Sequence, residues 1–447
     1  MRFIVLGLVL IFVLMVGTLW LVSSAARVEM EPSVSVVGME TPVRLLISSP
    51  HGIRQIRAFL EQDGARHLVH EHSQPAKRFW FWGSNPAPTE VKFTAGKKNA
   101  PEIKEGKARL IVEATANDFR AQTTTVAREV QVITKPPALS PDGAQHYINQ
   151  GGSELVTFTP SGYWTEAGVK AGPYSFRSFA VPGKPGERFS LFAFPWDLPP
   201  NTVPVVFARN PAGAEATSQF WFKVFPKKFR SRELDLSDEF LERVVNQIDP
   251  GGSGDLLERF LRINREMRRA NNQTLADLRH KTEERFLWSG PFLQLGNSKV
   301  EAQFADARSY FYKGKKVDEQ MHLGFDLSVV KNNPVPASNS GRVVFAEPLG
   351  IYGNCVVVDH GYGLQSIYAH LSEIAVKPGA MVARGHLLGK SGATGLAGGD
   401  HLHFSMQVDG VQVNAIEWWD AHWIKDRILS KVSLPAPENT QVVSPGQ

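Results

Sequence analysis

An uncharged apolar run from Phe3 to Val22 constrains this chain more than any other feature. A helix rises about 1.5 Å per residue, so this run is long enough to cross a hydrocarbon core of roughly 30 Å. The apolar region of a cleaved signal peptide is shorter, about 7 to 15 residues. We therefore predict an uncleaved membrane anchor over residues 1–27, and the small residues at 24–26 keep a cleaved signal peptide as the alternative. In both cases the rest of the chain is exported. This predicts a cell-envelope protein with a single inner-membrane span, facing the periplasm or the outside.

The length and composition indicate several folded domains beyond that run. A chain of 447 residues is too long for one ordinary hydrophobic core. With 43% hydrophobic and 21% charged residues, it is not a largely disordered chain, a collagen-like repeat or a polytopic membrane protein. The net charge of +5 is spread thinly, which suits an anionic membrane face or wall polymer, and we expect no nucleic-acid partner. Cys355 is the single cysteine, so an intramolecular disulfide and a cysteine-rich zinc module are both excluded.

The first half of the exported part has the alternation of β-strands. Val43, Leu45 and Ile47 alternate with polar or small neighbours, and turn residues separate such runs. A proline-rich linker near 136–143 divides them, so we predict β-sandwich-like modules over 28–136 and 137–230. A spacer or scaffold role is expected for these modules, and binding of envelope protein partners is the alternative.

The pattern changes to helical spacing over 231–289. Apolar residues recur at three- and four-residue intervals behind a Ser237 cap, and the glycine-rich stretch at 250–254 ends that helix. A second amphipathic helix follows, with arginines mostly on its other face. We predict a helical connector, and we hypothesise that it covers the groove of the domain that follows.

From Gly290 onward, two short motifs have the spacing of metal ligands. In the first, His322 and Asp326 lie four residues apart with Gly324 between them, which allows a tight backbone path. In the second, His401 and His403 alternate along a strand, so both imidazoles lie on one face.

Each motif also has an ordinary structural interpretation. A His-x-Gly-x-Asp sequence is often a turn with a side-chain hydrogen bond, and a His-x-His sequence is found in many strands. His370, which follows an apolar strand over 355–358, is a weak signal alone. Together with the glycines ahead of His401, these motifs favour a metal site with three ligands and at least one further imidazole.

The segments His322 to Asp326, Tyr368 to Leu371, Val376 to Gly379, Ser391 to Gly395 and His401 to Phe404 follow one another in an order that resembles the lysostaphin-type (LytM-like) zinc peptidases. The resemblance extends from about Gly290 to Trp423, roughly 30% of the chain. It implies a compact, mostly antiparallel β domain with a narrow groove, which we place at 290–427, followed by a flexible tail at 428–447. The whole chain is therefore predicted to be multidomain and mostly β.

The resemblance also implies roles for individual residues. His322, Asp326 and His403 correspond to the ligands of one zinc ion, with a fourth position open to water. His370 and His401 correspond to two catalytic histidines that do not bind the metal. Such imidazoles accept a proton from water or hydrogen-bond the tetrahedral oxyanion, and the sequence does not divide these roles between the two.

These inferences lead to a functional prediction. The family acts on peptidoglycan, so we expect a membrane-tethered zinc metalloendopeptidase that hydrolyses peptide cross-links of the cell wall, with the peptide stems as substrate. A catalytically silent activator or scaffold of other wall hydrolases is the alternative, and a zinc peptidase for another exported protein is a third. The peptide bond that is cleaved and the oligomeric state do not follow from the sequence.

Overall fold

The structure, a computed structural model, describes residues 2–77 and 87–434. Strand is the predominant secondary structure of these residues, which confirms the predicted mostly β fold class. They form two compact units. The first comprises the described residues up to Ala138 together with Ser161–Glu166 and Ala208–Ala216. The second comprises Leu139–Pro160, Ala167–Phe207 and the described residues from Thr217 onward. The domain boundaries proposed above stay predictions.

The first unit begins with helix α1, Arg2–Val22, whose most apolar stretch has a mean hydropathy of 2.8. By length and composition α1 is suited to cross a membrane, and a signal sequence would have the same properties. Within that stretch only 6% of residues are buried, as expected for a helix whose apolar side chains face outward.

A β-sandwich follows α1. Its strands are β1 (Arg27–Met30), β2 (Val36–Val37), β3 (Thr41–Ser48), β4 (Ile53–Gln62), β5 (Ala65–Ser73), β6 (Thr89–Ala95), β7 (Gly106–Ala116) and β8 (Thr123–Val132). One sheet has the order β1-β3-β6 and the other β2-β8-β7-β4-β5. The alternation at Val43, Leu45 and Ile47 buries these side chains against Leu60 and Leu110 of the other sheet. The period-two pattern in the sequence therefore corresponds to the inner face of the sandwich.

Further strands follow, and most of their residues belong to the second unit. They are β9 (Ala138–Pro141), β10 (His146–Asn149), β11 (Ser153–Ser161), β12 (Glu166–Ala171), β13 (Tyr174–Arg177), β14 (Phe179–Ala180), β15 (Arg188–Ala193), β16 (Val205–Arg209), β17 (Glu215–Gln219) and β18 (Phe222–Phe225). They form the sheets β14-β15-β11-β9 and β13-β12-β16-β17 and the parallel pair β10-β18. Phenylalanines fill the space between them, with the rings of Phe176 and Phe192 6.4 Å apart.

The helical connector follows a short strand, β19 (Ser231–Asp235). Its helices are α2 (Asp238–Ile248), α3 (Leu256–Arg262) and α4 (Arg268–Asp277), with a π-helical turn at Ile263–Met267 and a 3-10 turn at Leu278–Lys281. The predicted cap is present, since the Ser237 hydroxyl accepts a hydrogen bond from the Phe240 amide at 3.1 Å.

The last part of the chain is a β domain. Its elements are β20 (Lys299–Ala302), β21 (Asp306–Tyr312), β22 (Lys315–His322), β23 (Phe325–Ser328), β24 (Pro334–Pro336), β25 (Gly341–Pro348), a 3-10 turn (Gly350–Tyr352), β26 (Asn354–Gly361), β27 (Leu364–Leu371), β28 (Glu373–Ile374), β29 (Met381–Val382), β30 (Leu387–Lys390), β31 (Leu402–Val408), β32 (Val411–Val413), α5 (Ile416–Trp419), α6 (Ala421–Ile424) and a π-helical turn (Lys425–Leu429). The main sheet, β20-β23-β31-β27-β26-β25-β29, is antiparallel.

The connector and this β domain share one hydrophobic core. Leu241, Val245 and Phe260 of the helices are buried together with Ile351 and Val357 of the β domain. All residues of β27 and β31 are buried, because the main sheet is covered on both faces. The helices are therefore part of the same fold as the sheet and not a detachable arm.

The end of the described chain is also packed. Ile428 and Val432 are buried, and the Lys431 ammonium donates to Glu154 at 2.8 Å. Residues 428–434 thus differ from the predicted flexible tail, because these apolar side chains and this ion pair hold them in the second unit. The rest of that tail, 435–447, lies outside the described residues.

Candidate metal centre

Three strands bring together the residues with metal-ligand spacing. His322 ends β22, while Asp326 on β23 and His403 on β31 are directly paired across the main sheet. At Gly324 the backbone lies close to His403 and Phe404 of β31. A Cβ at that position would lie 2.5 Å from Nε2 of His403 and 2.8 Å from the Phe404 carbonyl oxygen. The position therefore requires glycine, as the sequence motif indicated.

The three side chains point nitrogen and oxygen atoms at one another. His322 Nε2 lies 2.9 Å from Asp326 Oδ1 and 3.0 Å from His403 Nδ1, and His403 Nδ1 lies 3.0 Å from Asp326 Oδ1. Both imidazoles are only 5% exposed. Burial alone would raise the pKa of Asp326, but the charge of His322 and hydrogen bonds from the surrounding histidines hold that pKa well below its usual range.

The hydrogen bonds around these three side chains leave their cluster-facing atoms free to bind a divalent cation. Nδ1 of His322 lies 3.0 Å from the Gln303 carbonyl oxygen, which only accepts, so this nitrogen carries the proton and Nε2 presents a lone pair. Arg308 donates to Asp326 Oδ2 at 2.6 Å, which leaves Oδ1 for the cluster. The buried Nε2 of His403 has no hydrogen-bond partner among the described residues, so this ring has polar contacts only through the cluster. Two imidazoles and one carboxylate are a donor set that suits zinc.

The two remaining predicted histidines lie beside the cluster. The rings of His370 and His401 are 4.8 Å apart, and the ring of His370 is 5.7 Å from that of His403. Nδ1 of His370 donates to the Thr394 carbonyl at 2.8 Å, and Nδ1 of His401 donates to the Gly399 carbonyl at 2.8 Å. Each ring therefore keeps Nε2 available for proton transfer or hydrogen bonding. All five predicted site residues are thus brought together.

The two histidines differ electrostatically. Burial and the neighbouring imidazoles of His401 and His403 hold the pKa of His370 well below its ordinary value. Burial also acts to lower the pKa of His401, but its contact with Asp326, at 3.4 Å from Nε2, leaves that pKa raised.

Sequence reasoning missed the other residues that line this pocket of about 80 Å³. The sequence did not predict the pairing of Arg308 with Asp326. Arg268 and Asn272 of α4 also line the pocket, and the Tyr352 hydroxyl donates to Asn272 Oδ1 at 2.9 Å. No local pattern marks Arg268 and Asn272 as pocket residues, because the helix that carries them reaches the pocket by packing against distant segments of the chain. Whether the connector restrains activity stays a hypothesis.

The comparison with known proteins agrees with this geometry. Residues 320–415 match the model of peptidase family M23. The C-terminal part of the chain is therefore an M23 peptidase domain. The predicted resemblance to the lysostaphin-type peptidases is thereby confirmed for this part of the chain.

The M23 domain has relatives with named activities. It is 34% identical over 122 residues to the DD-carboxypeptidase/endopeptidase Mpg of Neisseria meningitidis serogroup B. The aligned residues make up 27% of this chain and 25% of Mpg. It is 37% identical over 123 residues to the peptidoglycan DD-endopeptidase ShyA of Vibrio cholerae. The aligned residues make up 28% of this chain and 27% of ShyA. The similarity thus spans about a quarter of the length of these relatives.

A solved structure is also similar. It is a putative peptidase M23 from Pseudomonas aeruginosa, which is 20% identical and has a TM-score of 0.37. The alignment covers 61% of this chain and 94% of that one.

Proposed function

We propose that this protein is a zinc-dependent endopeptidase that hydrolyses peptide cross-links of bacterial peptidoglycan. The observation that carries this proposal is the convergence of five groups in one pocket of the M23 domain. His322, Asp326 and His403 form a donor set for zinc, and His370 and His401 present ring nitrogens beside it. The relatives named as peptidoglycan DD-endopeptidase and DD-carboxypeptidase/endopeptidase support this choice of substrate.

The proposed chemistry assigns a task to each group. A zinc ion held by His322, Asp326 and His403 would supply Lewis acidity and activate water for attack on an amide carbonyl. The Nε2 atoms of His370 and His401 accept a proton from the attacking water, hydrogen-bond the developing oxyanion and return a proton to the leaving amine.

Two further residues orient the ligands. The Gln303 carbonyl fixes the tautomer of His322, and Arg308 holds the Asp326 carboxylate in one orientation.

The location and partners belong to the same proposal. Helix α1 would anchor the protein in the inner membrane, with the M23 domain exposed to the cell wall, unless this segment is removed as a signal peptide. The peptide stems of peptidoglycan are the proposed substrate, and the β modules would act as spacers or bind envelope proteins.

Digestion of purified cross-linked sacculi tests the proposal. The full-length protein in detergent, loaded with zinc, is compared with His403→Ala and with His280→Ala, which removes an exposed histidine outside the pocket. We expect new uncross-linked peptides, detected by mass spectrometry, from the native protein and His280→Ala but not from His403→Ala. If the native protein releases no new peptides, the full-length protein is not an active endopeptidase, which favours either the silent activator or a groove covered by the connector.

A further inference from the structure

One wall of the metal pocket comes from the helical connector and not from the region that matches the M23 family. Arg268 is the first residue of α4, directly after the π-helical turn Ile263–Met267, and it is half-buried where it lines the pocket. Single π-helical turns inside α-helices are uncommon and often lie at functional sites. The π-helical turn is therefore a reason to consider a functional role for Arg268, the residue that follows it.

The Arg268 guanidinium is held in place by one buried neighbour. Its Nε donates to the Asn264 carbonyl at 3.2 Å, and its Nη2 donates to Asn264 Oδ1 at 2.6 Å. Asn264 is fully buried and donates in turn to Asp318 Oδ2 at 2.8 Å. An arginine has five N–H donors, so these bonds leave three donors at the outer end of the guanidinium. The cation is thus oriented before any ligand binds.

The charges around the pocket leave Arg268 without a counterion. Asp326 is the one carboxylate among the described residues that line it, and Arg308 already pairs with Asp326 at 2.6 Å. The adjacent arginine in the connector, Arg265, pairs with Asp318 at 2.9 Å. Within residues 2–77 and 87–434, Arg268 has no carboxylate partner. A half-buried, oriented and unpaired cation beside the predicted metal ligands has the chemistry to bind an anion.

We propose that Arg268 recognises a free carboxylate of the bound peptide and thereby selects an acidic peptide over its amidated form. This inference rests on the proposed function, because the ligand is the peptide that the M23 domain would cleave. The guanidinium matches the planar carboxylate with parallel N–H donors, whereas an amide offers one acceptor and its own N–H groups oppose those of the arginine. Arg268 is thus a specificity-determining residue that lies outside residues 320–415.

Calorimetric binding to the metal-free, full-length protein in detergent tests this inference without requiring turnover. The ligands are a synthetic tetrapeptide stem with free carboxylates and the same peptide with its carboxylates amidated. The variants are Arg268→Gln, Arg268→Lys and Arg269→Gln, the last removing the same charge from the next residue, which is exposed and does not line the pocket. Equal thermal midpoints of unfolding exclude a general effect on folding.

We expect Arg268→Gln to weaken binding of the acidic peptide by roughly 10- to 100-fold, the effect of losing a charge-assisted hydrogen bond. Binding of the amidated peptide should not change, Arg268→Lys should restore part of the loss, and Arg269→Gln should behave as the native protein. The inference is wrong if the native protein does not prefer the acidic peptide, or if Arg268→Gln and Arg269→Gln have equal effects.

The outcome is separable from that of the proposed function. Selective binding without release of peptides from sacculi would keep the carboxylate site and overturn the endopeptidase. Hydrolysis with a KM that Arg268→Gln does not change would keep the endopeptidase and overturn the carboxylate site. If both hold, Arg268→Gln should raise KM for the acidic peptide more than it lowers kcat.

Discussion

The two walls of the metal pocket differ in origin. The wall with the histidines comes from β22, β23 and β31, within the segment that matches the M23 family. The wall with Arg268 and Asn272 comes from α4, which lies upstream of that segment. Both walls share one hydrophobic core. The family match thus covers the predicted metal ligands, whereas the unit that shares one core, and the lining of the pocket, extend beyond it.

The largest expected effect lies on the histidine wall. His403→Ala removes one of three ligand groups, so the protein should no longer retain zinc and hydrolysis should fall by at least about 1000-fold, equivalent to several kcal/mol of transition-state stabilisation. Metal content by mass spectrometry and release of peptides from sacculi measure the two effects. Retention of zinc and activity by this variant would mean that His403 is not a ligand.

The next effect tests whether the helical wall belongs to the same folding unit. Phe260 is fully buried, and its ring packs 5.8 Å from that of Tyr310 in β21. Phe260→Ala should lower the free energy of unfolding by about 3–5 kcal/mol, because it leaves a cavity in the shared core. Val330→Ala, at a site that is 75% exposed, is the control and should change it by less than about 0.5 kcal/mol. Urea denaturation followed by tryptophan fluorescence measures the free energy of unfolding of both variants. If both variants lose equally little stability, the connector is not packed as described.

A third prediction concerns Glu417, just beyond the family match. Burial raises its pKa to about 7, although hydrogen bonds from Asn149 and Ser153 act to lower it. Since the folded-state pKa lies above the ordinary value of 4.5, the folded state holds the proton more tightly, and stability falls as pH rises from about 4.5 to 7. The loss is about 3 kcal/mol.

The difference between native protein and Glu417→Gln isolates this contribution. Burial lowers the pKa of His360 to about 4, so that residue contributes stability that increases with pH up to its ordinary value of 6.5 and partly masks Glu417. We expect native protein to lose stability relative to Glu417→Gln between pH 4.5 and 8 in urea denaturation. Parallel pH profiles for the two proteins would exclude a raised pKa at Glu417.

The smallest expected effect is a change in zinc affinity caused by Arg308, which contacts one of the predicted ligands. Arg308→Gln removes the partner of Asp326 Oδ2 while all three ligand groups remain, and such changes weaken metal affinity by about 10- to 100-fold. Competition with a zinc chelator measures the affinity. Arg232→Gln, which removes an arginine bonded to the Glu301 carbonyl, is the control and should leave the affinity unchanged. If Arg308→Gln and the native protein bind zinc with equal affinity, Arg308 does not orient Asp326 for metal binding.

Local patterns predicted the parts of this molecule that depend on near neighbours in sequence. The alternation at Val43, Leu45 and Ile47 predicted a buried strand face, and Ser237 predicted the start of a helix. The spacing of His401 and His403 placed both rings on one face, because side chains two residues apart share a face of a strand. These predictions needed only the periods of helix and strand.

Other features depend on contacts between distant segments. Arg308 lies close to Asp326 because β21 pairs with β22, and β22 leads directly into β23, which carries Asp326. Arg268 reaches the pocket because α3 and α4 bury Phe260 and Leu275 in the core that they share with the β domain. The packing of Ile428 and Val432 belongs to the same class, and it explains why residues 428–434 are not loose. No window of sequence contains both partners of these contacts.

The sequence by itself determined the membrane-spanning length of the first helix and the β character of most of the chain. It also predicted five site residues, whose roles stay a prediction. Each of these depends on composition or on spacing within a short stretch. Only the tertiary structure decided that the connector shares a core with the M23 domain and supplies an unpaired arginine to its pocket. The physical reason is that burial and charge pairing are properties of the folded surroundings, which are assembled from segments more than 50 residues apart, as in the bond between Asn264 and Asp318.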